Sequence, residues 1–366
     1  MRIYLDGMLF RHAGIGRIYQ NLLQGLVESP EILRIYTLIP RARKDDFLHE
    51  YPYDKIEAVF TDLPFDYREY FRKGPLIRKF NPAPDIHYFP YHNVPYFLKG
   101  TVVSTVCDLI PISPFSCLPW HAKSRFRYLV SHALKVSTRV VCISEFTKSQ
   151  VLDRFDVSPD LLEVIYPPLE DDPSRDQPVI PGEDRMVEGD YLLFVGSRNP
   201  HKNLKCLIDA FKRLAPEFPG LKLVIAGARM RQRDEVDEAS ETEGLRGKVI
   251  PYVTVTDREI ENLYSNARVF VFPSLIEGFG IPPLEAMTHG IPVVCSDITV
   301  IREVCGDTVR YADPSDPQDF AKVIREVLTG PQDPVRVLAG RSRAKTYNRE
   351  ACAGRYIRLF KRCLAT

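Results

Sequence analysis

The stretch FVFPSLIEGFGIPPLEAMTHGIPVV, residues 270–294, joins an apolar strand to a helix through a turn rich in glycine and proline. The strand ends at Pro273, and the two prolines after the glycines stand where the first turn of a helix accepts proline. Two glutamates, Glu277 and Glu285, are separated by seven residues across this turn. A buried strand followed by a helix is the repeating unit of a parallel α/β sheet, and the rest of the chain repeats it.

Short apolar runs alternate with helical patterns, which predicts two doubly wound, Rossmann-like parallel-sheet domains in tandem. In the first half, the predicted strands are Arg2–Leu5, Ile32–Leu38, Ile86–Phe89, Thr101–Val106 and Arg139–Ile143. In the second half, they are Tyr191–Val195, Lys222–Ala226, Lys248–Tyr252, Val269–Phe272 and Pro292–Cys295. The predicted helices of the second half are Asn203–Leu214, Asp257–Asn266 and Pro283–Thr288. Ligands of such sheets bind at the carboxyl ends of the strands, so the loops there are the candidate sites.

The length of the chain indicates two domains. With 366 residues it exceeds one compact core and suits two domains of about 150 to 200 residues each. The segment 166–190 is rich in proline and acidic residues and lacks periodicity, which marks a boundary. We predict a first domain over residues 1–170, a linker over 171–190, a second domain over 191–350, and a C-terminal helix over 351–366 that packs back on the first domain.

Composition excludes several classes of protein. A formal net charge of +1 lacks the basic excess of a nucleic-acid-binding protein. The eight cysteines form no C-x-x-C pair and no Cys/His cluster at metal-ligand spacing, which predicts reduced core thiols. The opening MRIYLDGMLF lacks the apolar run of a signal peptide, and no window approaches about 18 consecutive apolar residues. We therefore expect a cytoplasmic protein that at most rests on a membrane surface.

The first candidate loop is HAGIGRIYQNLLQGL, in which Gly14 and Gly16 precede a helix predicted to begin near Arg17. Glycines at an electropositive helix start let backbone N–H groups approach an anion or a sugar closely, although a plain tight turn has the same pattern. A nicotinamide site is a rival interpretation. The sequence lacks the third small residue of the dinucleotide-binding pattern G-x-G-x-x-G, because Tyr19 stands at that position. Arginines after the second strand could nevertheless bind NADP.

The second loop is FVGSRNPHKNLKCLIDAF. Gly196 turns the chain after a strand, and Arg198 and Lys202 flank the start of a helix for which Asn199 or Asn203 can serve as cap. Two cations beside a helix start predict a diphosphate site. The alternative is that both side chains are simply solvated.

The third loop is the opening turn. Gly278, Phe279 and Gly280 can hold backbone N–H groups bare at the edge of the sheet. Glu285 falls in the predicted first turn of the helix, where a carboxylate complements the helix dipole without any function. Glu277 precedes the glycines outside any helix, and its carboxylate is suited to accept hydrogen bonds from the hydroxyls of a sugar.

Four segments together resemble the family 4 retaining glycosyltransferases of the GT-B fold, in which two Rossmann-like domains face each other across a cleft. EGFGIPPLE resembles the E-x7-E motif of that family, and GSRNPHKN resembles its phosphate-binding loop. GIGRIYQNLL and VCISEFTKSQ are similar to its N-terminal glycine loop and to the segment that closes its first domain. The opening glycine loop and the segment VCDLIP further resemble mannosyltransferases that use GDP-mannose in polysaccharide or O-antigen assembly.

The resemblance implies roles for individual residues. Arg198 and Lys202 would hold the diphosphate of the donor, Glu277 the hydroxyls of the transferred sugar, and Glu285 the ribose, with Asp108 as a sugar or acceptor contact. The base would stack beside the segment PYVTVTD. The donor-binding residues implied are Gly14, Gly16, Gly196, Ser197, Tyr252, Val253, Gly278, Phe279, Gly280, Ile281 and Glu285.

One position departs from the family pattern. Cys107 stands where the family usually has histidine in HDLIP, so the histidine's role is dispensable or moved to another residue such as His12 or His92. A lone cysteine is most often a buried core thiol. Asp108 can equally cap a turn.

The resemblance implies a retaining hexosyltransferase that moves a sugar, mannose from GDP-mannose being favoured, to a glycan or lipid-linked acceptor. No D-x-D occurs in the chain, which predicts a reaction without a metal or other cofactor. An NADP-dependent oxidoreductase and a nucleotide-sugar epimerase of the same fold are the alternatives.

Two segments have the composition of an interfacial membrane contact, although a solvated amphipathic helix has it too. WHAKSRFRYLVSHALK begins at Trp120. YREYFRKGPLIRKF interleaves aromatic residues with Arg68, Arg72, Lys73, Arg78 and Lys79.

Overall fold

The computed structural model describes residues 1–11, 13–63, 68–169, 185–230 and 232–365. The chain divides into two compact units, each built around a parallel sheet, which confirms the predicted fold class. The first unit comprises Met1–Ile112, Leu118–Asp171 and Tyr347–Thr366, and the second comprises Ser113–Cys117 and Asp172–Thr346.

The strands of the first unit are β1 (Arg2–Leu5), β2 (Arg34–Pro40), β3 (Ile56–Thr61), β4 (Ile86–Phe89), β5 (Thr101–Val106), β6 (Arg139–Cys142) and β7 (Leu162–Val164). In the described residues they pair in the order β3-β2-β1-β4-β5-β6-β7. The helices are α1 (Ala13–Glu28), α2 (Lys44–Glu50), α3 (Glu69–Ile77), α4 (Trp120–Val136), α5 (Glu145–Arg154) and the C-terminal α13 (Arg349–Ala365).

The strands of the second unit are β8 (Tyr191–Val195), β9 (Lys222–Ala226), β10 (Val249–Tyr252), β11 (Val269–Phe272), β12 (Val293–Ser296) and β13 (Arg310–Ala312). In the described residues they pair in the order β10-β9-β8-β11-β12-β13. The helices are α6 (Leu204–Leu214), α7 (Glu235–Glu241), α8 (Asp257–Asn266), α9 (Ile281–Thr288), α10 (Thr299–Cys305), α11 (Pro317–Thr329) and α12 (Pro334–Lys345).

Each sheet has one point where the strand order reverses. In the first sheet β1 and β4 are neighbours, and the chain continues from β1 to one side and from β4 to the other. β8 and β11 are related in the same way in the second sheet. Ligands of doubly wound sheets bind beyond the carboxyl ends of the strands at such switch points.

The C-terminal helix α13 belongs to the core of the first unit. Its buried face packs on α1, where a Cβ on Gly25 would lie 2.7 Å from the Cβ of Ala353. Tyr88 of β4 donates a hydrogen bond of 2.9 Å to the hydroxyl of Tyr356 on α13. Glycine is therefore needed in α1 at the point where the two helices approach each other.

Two predicted helix starts are wrong. α1 begins at Ala13 rather than near Arg17, so the glycine loop forms its first turn. α9 begins at Ile281 rather than Pro283, because Gly280 adopts a φ of +110° at the N-cap position and the two prolines follow within the first turn.

Candidate active site

The loops after β8 and β11 meet at the switch point of the second sheet. The Leu275 amide donates a hydrogen bond of 2.8 Å to the carbonyl of His201. The side chain of Asn203 donates one of 3.1 Å to the carbonyl of Pro273. These bonds join the two loops that carry the predicted diphosphate and sugar residues.

A close backbone contact holds the loop after β8 against the loop after β9. The Gly196 amide donates to Ala226 O at 2.9 Å, and the Arg198 amide donates to Ala228 O at 3.0 Å. Gly227 has a φ of +152°, and a Cβ there would lie 1.9 Å from Gly196 O. Only glycine fits at position 227.

The structure brings Lys202 and Glu277 into direct contact. Lys202 ends a short 3-10 turn and is followed by Asn203 in the left-handed region at φ +58°. Lys202 Nζ lies 2.6 Å from Glu277 Oε1, and the two side chains are only 13% and 9% exposed. The ammonium also lies 5.2 Å from the ring centroid of Phe272. Each charge is therefore balanced by the other in a site largely screened from water.

The guanidinium of Arg198 is buried against the start of α7. Its NH1 lies 3.4 Å from Asp234, which caps α7, and 3.2 Å from Asp237 of the same helix. Its Nε and NH2 are buried and have no hydrogen-bond partner among the residues that the structure describes. Arg198 thus ties the loop after β8 to α7 and keeps unused donors.

Glu285 lies deeper in its helix than predicted. It is the fifth residue of α9 and not in the first turn, so complementing the helix dipole does not account for it. Its Oε2 accepts a buried hydrogen bond of 3.0 Å from the hydroxyl of Tyr264 on α8. The Tyr264 ring stacks on His289, with centroids 5.1 Å apart and an angle of 9° between the planes. The Tyr264 hydroxyl therefore orients the carboxylate, and His289 supports the Tyr264 ring.

The other predicted donor-binding residues of the second unit follow the same strands. Ser197 Oγ accepts a hydrogen bond of 2.9 Å from the side chain of Asn199. Tyr252 ends β10, and its carbonyl accepts a hydrogen bond from the Gly227 amide. Gly278 and Phe279 are buried, whereas Val253 and Ile281 are half-buried.

The predicted cap position of the second loop is correct for Asn203, but the predicted capping bond is not made. Asn203 occupies the N-cap position of α6 without a side-chain capping bond, and its amide instead donates to Pro273 O and Pro314 O. Asn199 makes no capping bond either. Their side chains fix the loops rather than the helix.

The predicted residues of the first unit lie at the carboxyl edge of the first sheet. Gly14 faces open space within the described residues, and a Cβ on Gly16 would lie 2.9 Å from Leu9 O. Asp108 follows β5, and its carboxylate accepts a hydrogen bond of 2.9 Å from the Ile110 amide, a turn-capping contact.

Cys107 and His92 are both buried beside that edge. Burial raises the pKa of the Cys107 thiol, whose Sγ lies 3.6 Å from Pro90 O. Burial lowers the pKa of His92 to about 3, so its ring stays neutral. His12, the other histidine of this prediction, lies outside the described residues.

The described residues contain neither a candidate metal centre nor a candidate membrane span. No group of three or more His, Cys, Asp or Glu side chains is placed to hold a metal ion there. In the same part of the chain, no helix is long and apolar enough to cross a membrane.

Comparison with known proteins shows the family. Residues 180–347 match the family described as glycosyl transferases group 1. The O-antigen chain mannosyltransferase B of Escherichia coli is 30% identical over 285 residues, which cover 74% of each chain. The chain belongs to the group 1 glycosyl transferases. This glycosyltransferase is also 29% identical over 238 residues to the O-antigen chain mannosyltransferase RfbU of Salmonella typhimurium, covering 65% of this chain and 63% of RfbU.

Solved structures show the same fold. HepE of Anabaena in complex with UDP-glucose superposes with a TM-score of 0.75 at 16% identity, over 99% of each chain. WaaG, a glycosyltransferase of lipopolysaccharide biosynthesis, superposes with a TM-score of 0.71 at 16% identity, over 98% of this chain and 99% of WaaG. The family and the GT-B fold expected from the four motifs are confirmed, and the oxidoreductase alternative finds no support.

Gly227 and Tyr264 of the candidate site were missed from sequence. Gly227 follows a predicted strand directly, which is a usable signal for a close backbone approach. Tyr264 has no local signal, because its place beside Glu285 depends on how α8 packs on α9.

Proposed function

We propose that this glycosyltransferase moves a mannosyl group from GDP-mannose to a hydroxyl of a glycan or lipid-linked acceptor, with retention and without a metal ion. The observation that carries the proposal is the ion pair of Lys202 and Glu277 at the switch point of the second sheet. The relatives named O-antigen mannosyltransferases support mannose as the transferred sugar.

The proposed reaction places charge where the ion pair lies. The anomeric C–O bond to the β-phosphate breaks, its electron pair leaves with the diphosphate, and the acceptor oxygen forms the new bond. The acceptor's proton passes to the departing phosphate oxygen, the base that the step generates. An ammonium has three donors and Glu277 uses one, so Lys202 can also stabilise the diphosphate.

The neighbouring residues complete the proposed donor site. The Glu277 carboxylate would accept hydrogen bonds from hydroxyls of the mannosyl group once Lys202 binds the diphosphate. The Glu285 carboxylate, which is held by Tyr264, would accept hydrogen bonds from the ribose hydroxyls. The unused donors of Arg198 would face the diphosphate after a small shift of its side chain.

A donor screen tests this proposal. GDP-mannose, GDP, UDP-glucose and UDP are compared by thermal shift, and a ligand at 100 times its Kd adds about 2.7 kcal/mol of stability. We expect the largest shift with GDP-mannose and a smaller one in Lys202→Ala. A shift with UDP-glucose alone would overturn the choice of donor. Conversion of GDP-mannose to another nucleotide sugar without an acceptor would indicate an epimerase instead.

We further infer that the first unit rests on an anionic membrane through an aromatic surface formed by Phe71, Phe97, Trp120 and Tyr128. These side chains are 57%, 81%, 78% and 60% exposed. Tyr96 links part of the surface, because its ring centroid lies 5.0 Å from that of Phe71 and 6.2 Å from that of Phe97. Exposed aromatic residues of this density are typical of an interfacial contact.

The charges around the aromatic surface support the same partner. Residues 109–138 contain no Asp or Glu, and exposed Arg72, Lys99, Arg125 and Lys135 lie on the same segments. Lys73 does not contribute, contrary to the expectation from sequence, because it is buried.

Vesicle sedimentation tests the membrane contact. We expect binding to vesicles with phosphatidylglycerol, little binding to neutral vesicles, and loss of binding in Phe97→Ser combined with Trp120→Ser. Val335→Ser, at an exposed apolar residue of the second unit, is the matched control. Equal sedimentation of both variants would contradict the assignment.

A further inference from the structure

Four buried polar side chains of the first unit, Asp6, Glu69, Lys73 and Asn93, form a hydrogen-bonded cluster that we call the buried network. Lys73 Nζ lies 3.0 Å from Asp6 Oδ2 and also forms an ion pair with Glu69. Asn93 Nδ2 donates to Asp6 Oδ2 at 3.2 Å and to Glu69 Oε1 at 2.8 Å. The Lys73 side chain is 0% exposed, and those of Asp6 and Glu69 are each 2% exposed.

The buried network lies at the switch point of the first sheet. Asp6 directly follows β1, and Asn93 belongs to the loop after β4. Lys73 and Glu69 reach them from α3, and the Lys73 ammonium lies 5.6 Å from the ring centroid of Phe89, the last residue of β4. Three separate segments are therefore joined where a ligand of this sheet binds.

Stability does not explain the buried network. It places two carboxylates and one ammonium out of water, and burial raises the pKa of Glu69 although Lys73 opposes this. Replacing buried ion pairs with apolar residues is often neutral or stabilising. A role in fixing positions accounts better for such a cluster.

The loop after β4 also carries unused hydrogen-bonding atoms. Asn93 Oδ1 and His92 Nδ1 are buried and have no partner among the described residues. Asn93 is 2% exposed and His92 is 3% exposed. A buried amide oxygen without a donor is uncommon, and a hydroxyl of a bound molecule would satisfy it.

We propose that the buried network positions the loops after β1 and β4 for a saccharide acceptor, and that Asn93 Oδ1 accepts a hydrogen bond from one of its hydroxyls. This inference rests on the proposed transfer reaction. Asp6, Glu69 and Lys73 act as positioning residues, since the loops they hold, and not their own charges, meet the acceptor.

The test is Lys73→Met combined with Glu69→Gln, which removes one charge of each sign. Asp6 keeps its hydrogen bonds from Tyr4, at 2.6 Å, and from Asn93, so the variant should fold. With octyl α-mannoside as acceptor, we expect KM for the acceptor to rise about tenfold or more, because the loops are displaced. Hydrolysis of the nucleotide sugar without acceptor and the Kd of GDP should stay unchanged.

Arg2→Met combined with Asp85→Asn is the matched control. This pair joins β1 and β4 at their amino ends, with Arg2 Nε 3.1 Å from Asp85 Oδ1. The control should keep the wild-type acceptor KM. A wild-type acceptor KM in the network variant, or parallel losses of hydrolysis and transfer, would overturn the inference. Both assays use whichever nucleotide sugar the wild type hydrolyses. If that donor is not GDP-mannose, the proposed function is contradicted, but the acceptor KM of the network variant can still be compared with that of the control.

Discussion

Glu277 and Glu285 differ in the partners that surround them. Glu277 is paired with the ammonium of Lys202, whereas Glu285 accepts from the neutral hydroxyl of Tyr264. A carboxylate beside a cation is placed to respond when a diphosphate competes for that cation. A carboxylate that is fixed within a helix by a tyrosine is suited to bind the ribose, which both the donor and the nucleoside diphosphate product contain.

Glutamine at each position separates these roles. Glu277→Gln should lower kcat by about 100-fold or more, because a fixed charge near the developing cationic sugar is lost, and leave the Kd of GDP nearly unchanged. Glu285→Gln should raise the Kd of GDP about tenfold with little change in kcat, since a charged hydrogen bond to the ribose is weakened. Steady-state kinetics and calorimetry measure both quantities. The reverse pattern would show that the two assignments are exchanged.

Cys107 is expected to have no catalytic role, although it occupies the histidine position of the family motif. Burial raises its pKa, so the thiolate nucleophile does not form near neutral pH. Cys107→Ser should keep near wild-type kcat, because a serine hydroxyl can also donate to Pro90 O. Cys107→Ala serves as the second variant. Loss of activity in both, with unchanged unfolding midpoints, would contradict this expectation.

At the scale of elements, the loops after β8 and β9 depend on Gly227. Gly227→Ala places a Cβ 1.9 Å from a backbone oxygen at a φ of +152°. We expect a loss of about 3 kcal/mol or more in the free energy of unfolding, since backbone must move. Gly220→Ala, in the turn before β9 and facing open space, should change it by about 0.5 kcal/mol or less. Urea denaturation measures the free energy of unfolding of both variants, and equal losses in the two would contradict the prediction.

The central strands were predictable and several edge strands were not. β1, β4, β8 and β11 are buried apolar runs, and their predicted positions hold. β7 and β13 are edge strands of three residues each, and β3 is an edge strand that is half-buried throughout. Such segments lack the hydrophobic pattern on which prediction depends.

The residues of the candidate site were predictable where they lie within one short motif of the sequence. Lys202 and Glu277 stand out in short motifs, but their contact joins residues far apart in the chain. Asp234 and Tyr264 reach the site only because α7 and α8 pack where they do. Local sequence carries no signal for such contacts, and the buried network of the first unit was missed for the same reason.

At the scale of the whole molecule, both units use the switch point of a parallel sheet. In the second unit the pair of Lys202 and Glu277 lies there, and in the first unit the buried network lies there. In each case a lysine and a carboxylate join segments that are distant in the sequence. We propose that the donor binds the second unit, where Lys202 can stabilise a diphosphate, and that the acceptor binds the first unit, where Asn93 can accept a hydrogen bond from a hydroxyl.

We expect that protein cations, and not a metal, stabilise the leaving diphosphate in the proposed reaction. The chain contains no D-x-D sequence, and Lys202 and Arg198 follow β8. We therefore expect transfer to proceed unchanged in excess EDTA. Lys202→Ala should lose on the order of 2 to 4 kcal/mol of transition-state stabilisation, with no rescue by Mg²⁺ or Mn²⁺, because the lysine's charge is needed most when the diphosphate departs. Activity abolished by EDTA and restored by either ion would show that a metal carries this charge instead.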